Sequence, residues 1–156
     1  MKVLITGCNG QVGSCLTRRL TKQAEVLALD YEGLDITDRN AVLKTVAEFQ
    51  PDYIINAAAH TAVDRAEQEV ELSYAINRDG PSYLAQAAKE CGAVMLHIST
   101  DYVFDGMGDK SYQESDATGP QGIYGQSKLA GEQAVAKSCS QHLILRTAWV
   151  FGEHGN

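Results

Sequence analysis

One stretch near the N-terminus limits the possible folds more than any other. The aliphatic run Lys2–Thr6 leads directly into Gly7-Cys-Asn-Gly10-Gln-Val-Gly13. A short strand, a tight glycine turn and a helix beginning near Val12 are the opening of a βαβ unit. Spaced glycines alone are a weak signal, and their context supplies the rest. Glycine permits the turn, the close approach of backbone to a pyrophosphate and close packing of helix on sheet, and a helix N-terminus favours phosphate charge. Gly7, Gly10 and Gly13 are therefore candidate dinucleotide contacts. Asp30, at the end of the next apolar run, stands where a carboxylate accepts from both adenosine ribose hydroxyls and repels a 2′-phosphate. On the residues alone NADH is expected first. The plain alternative is turn chemistry for the glycines and strand termination for Asp30.

Farther along, strand-length apolar runs alternate with helical stretches, the pattern of a parallel sheet covered on both faces. The expected strands are Lys2–Thr6, Glu25–Asp30, Tyr53–Ala57, Val94–Ser99 and His142–Thr147. The expected helices are Val12–Lys22, Asp38–Phe49 with Thr37 or Asp38 as N-cap, and Gly122–Ala136. Pro51 marks the exit of the second. A longer helical region, Asp64–Glu90, contains Asp79-Gly80-Pro81, which is expected to kink or split it. The fold class is α/β: a Rossmann-type, doubly wound parallel sheet in three layers, α/β/α. Residues 1–156 read as one dinucleotide-binding domain. Because the sequence given stops just after the last strand, at Gly152–Asn156, part of a substrate pocket is expected to be missing.

Composition narrows the partners. Net charge is −7, which argues against nucleic acid, since phosphate-backbone binding needs a basic face. No apolar run reaches membrane-spanning length. The start, Met1 to Gly7, reads as strand and glycine turn and not as a signal peptide. Cys8, Cys15, Cys91 and Cys139 show neither ligand pairing nor a disulfide framework, so reduced thiols in a cytoplasm are expected. The four histidines show no metal-ligand spacing, and no metal site is expected.

The chemistry is expected from Tyr124-Gly-Gln-Ser-Lys128. Residues i and i+4 share a helix face, so the Lys128 ammonium is expected to lie beside the Tyr124 phenol and favour its ionised form. Tyr124 would then exchange a proton near neutrality. Thr100 follows the fourth strand, and a hydroxyl there can point into the cleft and polarise a carbonyl. Taken singly, each has a bland reading, a turn hydroxyl or a surface pair. Their order on this alternation of strands and helices makes the catalytic reading strong.

These residues carry a resemblance. Gly7-x-x-Gly10-Gln-Val-Gly13, Asn56–Asp64 with Ala66-Glu67, Ser99–Gly106, Tyr124-Gly-x-Ser-Lys-Leu-Ala-Gly-Glu132 and Arg146-Thr-x-Trp-Val-Phe-Gly152 together resemble the extended short-chain dehydrogenase/reductase family, over essentially all 156 residues. Within that family the similarity is to reductases of nucleotide-sugar 4-ketones. The resemblance implies hydride transfer from NADH or NADPH to C4 of dTDP-4-dehydro-L-rhamnose, giving dTDP-L-rhamnose. It implies that Gly10, Gln11 and Val12 contact the dinucleotide, Asp30 its ribose, and Asp35 with Ile36 the adenine side. Ala57, Ala58, Ala59, His60 and Thr61 would line the path to the nicotinamide. Thr100, Tyr124 and Lys128 would be the catalytic set, with Tyr124 and Lys128 also touching cofactor, Lys128 through the nicotinamide ribose. Asp101 and Trp149 would sit near the sugar nucleotide. A homodimer is implied for a longer enzyme; the family's magnesium-linked dimer residues have no match here.

Several residues carry plainer expectations. Asp64 and Glu67 have the spacing of a helix-start capping pair. His60 reads as a pocket wall, Trp149 could be core, and Asp109, Glu114 and Asp116 read as solvated loop. Dehydratases of this kind place Asp-Glu after the threonine, whereas Thr100 is followed by Asp101 and Tyr102, which favours simple reduction. An epimerase or dehydratase, and a dinucleotide-binding regulatory module without turnover, remain the alternatives.

Overall fold

The computed structural model describes residues 1–152. The last four positions, 153–156, where the sequence reading placed the end of the domain, lie outside the described residues. The sheet has five strands, all parallel, in the order β2-β1-β3-β4-β5. The strands are β1 (Lys2–Thr6), β2 (Glu25–Leu29), β3 (Tyr53–Asn56), β4 (Val94–Thr100) and β5 (His142–Thr147). The expected strands are all present, and their ends shift by at most one residue.

Alternation along β1 explains the layering. Leu4 faces one side and packs with Ile54, Met95, Val42, Val46, Leu84 and Val135. Val3 and Ile5 face the other side with Ile55, Leu16 and Leu20. The first layer is therefore made by α2 (Arg39–Phe49), α5 (Gly80–Cys91) and α6 (Ile123–Ser138), and the second by α1 (Gln11–Leu20). Each fully buried Leu, Ile or Met contributes about 1.5–3 kcal/mol. Burial on both faces fails at β5, where Leu143 is 55% and Leu145 46% exposed. On that face α1 packs over β1 and β2, at the opposite side of the sheet from β5.

Asp38 is the N-cap of α2, its carboxylate accepting from Asn40 N and Ala41 N at 2.9 and 3.1 Å. The long helical stretch expected over Asp64–Glu90 is broken more often than its proline suggested. It comprises α3 (Val63–Ala66), α4 (Val70–Tyr74), a π-helical turn at Ala75–Asp79 and then α5. Gly80 and Pro81 open α5 directly after the π turn, the split expected at this point. Proline has no N–H to give to the preceding turn, and that turn widens.

Glycine sets the closest approaches. A Cβ on Gly131 of α6 would overlap the carbonyl oxygen of Asn77 in the π turn, and one on Gly13 would overlap the carbonyl of Gly7. Replacing a helical glycine by alanine ordinarily gains up to about 1 kcal/mol. At Gly131 the fixed carbonyl cannot rotate away, so overpacking dominates, and Gly131→Ala should lose about 1–3 kcal/mol in urea denaturation. An unchanged or higher midpoint would show that α6 does not press on the π turn.

Candidate active site

The strand ends converge on a cavity of about 930 Å³. It is lined by Gly7, Gly10, Gln11, Val12, Asp30, Asp35, Ile36, Ala57, Ala58, Ala59, Thr61, Thr100, Asp101, Tyr124, Lys128 and Trp149, among others. Two of the expected contacts lie elsewhere. Gly13 is buried in the packing of α1 against the glycine turn. The His60 ring turns from the cavity, its Nε2 2.9 Å from Glu69 Oε2 and its Nδ1 3.3 Å from Ser73 Oγ. A polar partner on α4 outcompetes the pocket for that imidazole, so the expected pocket wall at His60 is corrected.

At the glycine end, Gly7 has φ +72° and lies so close to Ala57 and Ala58 that a side chain would not fit. Helix α1 begins at N-cap Gly10 with no side-chain cap and no acidic residue in its first turn. Its leading amides therefore point at the cavity mouth, the arrangement that binds anions. Asp30 is held by two donors, Asn9 Nδ2 at 2.5 Å and Gly33 N at 3.0 Å. Asn9, Tyr31 and Glu32 also line this end. Sequence reasoning did not single out Asn9, because its partner is distant in sequence.

At the other end, α6 buries Tyr124, Ser127 and Lys128 along one side. Lys128 is 3% exposed, and its Nζ donates to Ile98 O at 2.7 Å, fixing α6 to the end of β4. Desolvation lowers its pKa to about 8, with Glu132 pulling the other way. Glu132 itself takes Arg146 of β5 in a two-point ion pair at 2.9 and 2.7 Å.

The Tyr124 phenol departs from expectation. Its pKa is raised, first by burial and then by Asp101 and Tyr102, while a hydrogen bond with Thr100 lowers it. The expected lowering by Lys128 is corrected: the ammonium is turned to the Ile98 carbonyl, and the phenol's polar partner is Thr100. Tyr124 is protonated at neutral pH, and burial moves its titration further above it. The Tyr102 ring stands edge-on to it, centroids 5.5 Å apart. Thr100 Oγ1 also donates to Asp101 Oδ1 at 3.1 Å and accepts from Tyr102 N at 3.3 Å.

A buried polar network under the site went unread in the sequence. Thr6 Oγ1 and Ala58 N both donate to Asn56 Oδ1, at 2.7 and 3.1 Å, so Asn56 Nδ2 is the donor facing His97 Nδ1 at 3.1 Å. The His97 proton therefore sits on Nε2. Burial and Lys128 hold its pKa well below the usual value, so it adds no charge beside the lysine. Alternation alone made His97 look like any strand residue.

Two further expectations change. Trp149 is not core: it is 93% exposed at the cavity rim, with φ +50°. Asp64 and Glu67 do not cap their own helix; α3 has Ala62 as its N-cap, without a side-chain cap, and Glu67 bonds elsewhere. Among the described residues no helix is long and apolar enough to cross a membrane and no group of metal-binding side chains forms. The four cysteines are free.

A glycine-turn cradle, a carboxylate at the end of β2 and a Tyr-Lys helix over one parallel sheet define a Rossmann-type domain of the short-chain dehydrogenase/reductase kind. The chain belongs to the RmlD substrate binding domain family, whose model matches residues 1–156. It is 47% identical to a dTDP-4-dehydrorhamnose reductase of Salmonella typhimurium over 160 aligned residues, covering 100% of this chain and 54% of that protein. A dTDP-4-dehydrorhamnose reductase from Clostridium acetobutylicum superposes with TM-score 0.97 at 46% identity, covering 100% of this chain and 56% of that one. The Bacillus anthracis reductase, solved in complex with NADP, gives TM-score 0.96 at 42% identity over 99% of this chain and 56% of that one. The chain thus spans about half the length of the curated relatives it matches.

Lys128 gives a pH signature with a defined sign. Its folded-state pKa of about 8 lies below the ordinary 10.5. Between these values the unfolded chain holds a proton that the folded chain has released, so stability rises with pH. From pH 8 towards 10, unfolding free energy from urea titrations should climb more steeply in the wild type than in Lys128→Met. Parallel curves would show a solvated lysine.

Proposed function

We propose that the chain is the dinucleotide-binding domain of an NAD(P)H-dependent reductase that converts dTDP-4-dehydro-L-rhamnose to dTDP-L-rhamnose. The observation that carries the proposal is one cavity lined by both the glycine turn and Thr100, Tyr124 and Lys128. The residues fit a nicotinamide dinucleotide: the backbone cradle at Gly7 excludes side chains, the α1 amides suit a pyrophosphate, and Asp30 suits a ribose diol. Such a cofactor, once bound, supplies a hydride to the sugar carbonyl.

The chain's own groups do the rest. Tyr124, neutral at physiological pH and held so more firmly by burial, donates to the ketone oxygen and gives up its proton as negative charge develops there. Thr100 hydrogen-bonds the phenol and orients it. Lys128, with one donor spent on Ile98 O, keeps two for the nicotinamide ribose. Asp101 and the exposed Trp149 ring border the space for the sugar nucleotide, and the portion of the relatives that this chain does not match would complete that site. Asp30, Glu32 and Asp35 line the adenosine end, an acidic setting that favours NADH, while NADPH remains a substrate of the same reading. Tyr102 occupies the position after Asp101, so no glutamate is available there for elimination of water, which supports simple reduction.

The test is NADH oxidation by the intact protein with dTDP-4-dehydro-L-rhamnose. Tyr124→Phe should lower the rate at least about 100-fold while leaving NADH affinity nearly unchanged. A full rate in that variant would remove Tyr124 as the acid. Net consumption of NADH excludes an epimerase or dehydratase, which returns its cofactor to the starting state.

A further inference from the structure

Helix α6 begins without a cap of its own. Its N-cap is Gly122, which has no side chain to accept from the first-turn amides. The acceptor comes from a distant connection: Glu67 Oε1 takes Ile123 N at 2.8 Å, across 56 residues of sequence. A Cβ on Gly122 would stand 3.0 Å from that same oxygen, so the glycine leaves room for it. Tyr124 is the next residue along the helix.

The segment that ends at Glu67 begins as the cavity wall at Ala57, and it is tied to α6 a second time. Asn77 Oδ1 accepts from His60 N at 2.8 Å, and its Nδ2 donates to His60 O at 3.1 Å and to Ser127 Oγ at 3.0 Å. Ser127 Oγ in turn donates to Tyr124 O at 2.8 Å. Wall and helix are thus joined near His60 and near Glu67, and the residues that meet in the cavity lie beside these joints.

We propose that Glu67 is a positioning residue: its carboxylate caps α6 from another element and fixes Tyr124 and Lys128 against the wall formed by Ala57–Thr61. The proposal rests on the functional reading above for what the positioned groups do. Glu67 does not line the cavity and acts through the first turn of α6. The helix is held elsewhere by Lys128 to Ile98 and Asn77 to Ser127, so losing the cap loosens its start without unfolding the chain.

The experiment compares Glu67→Ala and Glu67→Gln with wild type in the intact protein by amide hydrogen exchange and by NMR titration of Lys128 Nζ. In Glu67→Ala, amides of residues 123–126 should exchange at least about fivefold faster, the effect of losing one cap, while β1 amides keep their protection. The Lys128 pKa should move from about 8 towards 10.5 as water reaches it. Glu67→Gln keeps the acceptor oxygen and should restore both readouts. Unchanged exchange and titration in Glu67→Ala, equal acceleration in β1, or failure of glutamine to rescue would overturn the role. Wild type that neither binds nor oxidises NADH would instead defeat the functional reading, leaving exchange and titration to decide the positioning role.

Discussion

The buried ammonium of Lys128 on the carbonyl of Ile98 is the contact around which the site is arranged. Removing an ammonium from water costs several kcal/mol, and the fold offsets that cost from several elements. The Ile98 carbonyl on β4 accepts its hydrogen bond, Glu132 stands on the same helix, and Arg146 on β5 holds Glu132 in place. His97, buried and neutral, avoids adding a second positive charge. The arrangement places a lysine with a depressed pKa and a protonated tyrosine on adjacent turns of one helix, facing one cleft.

Close backbone approach is the second requirement. Gly7 against Ala57 and Ala58, Gly13 against the Gly7 carbonyl and Gly131 against the π turn each remove a side chain where two segments must nearly touch. The first two bring α1 and β3 together around the cradle. The third brings α6 onto the segment whose Asn77 fastens the cavity wall. Arg146 extends the frame outward: besides Glu132 it lies 4.9 Å over the Phe104 ring, which stacks on Tyr112 of the following loop.

The strands and the main helices were readable in the sequence because each rests on a local pattern: aliphatic runs of strand length, helical spacing, and Asp38 ahead of α2. The glycine turn, Asp30, Thr100, Tyr124 and Lys128 were readable for the same reason and meet in one cavity. The misreadings and the unread Asn9 share a cause. His60 turns to Glu69, Glu67 caps a helix far along the chain, and Asn9 grips Asp30. Each is a tertiary choice of partner that no nearby spacing encodes. The Tyr124 phenol was misread because i,i+4 geometry shows which groups share a face, not which carbonyl an ammonium will choose. Trp149 was open to a core reading because large apolar residues usually are core; it stands exposed at the rim.

In the proposed function, one cleft brings a nicotinamide ring beside Tyr124 while adenine lies towards Ile36. Nuclear Overhauser contacts between bound NADH and the protein test it most directly. Contacts are expected from the nicotinamide protons to the Thr100 methyl and the Tyr124 ring, together with contacts from adenine to the Ile36 methyls. NADH contacts confined to another face of the sheet, or the two rings found in exchanged positions, would contradict it.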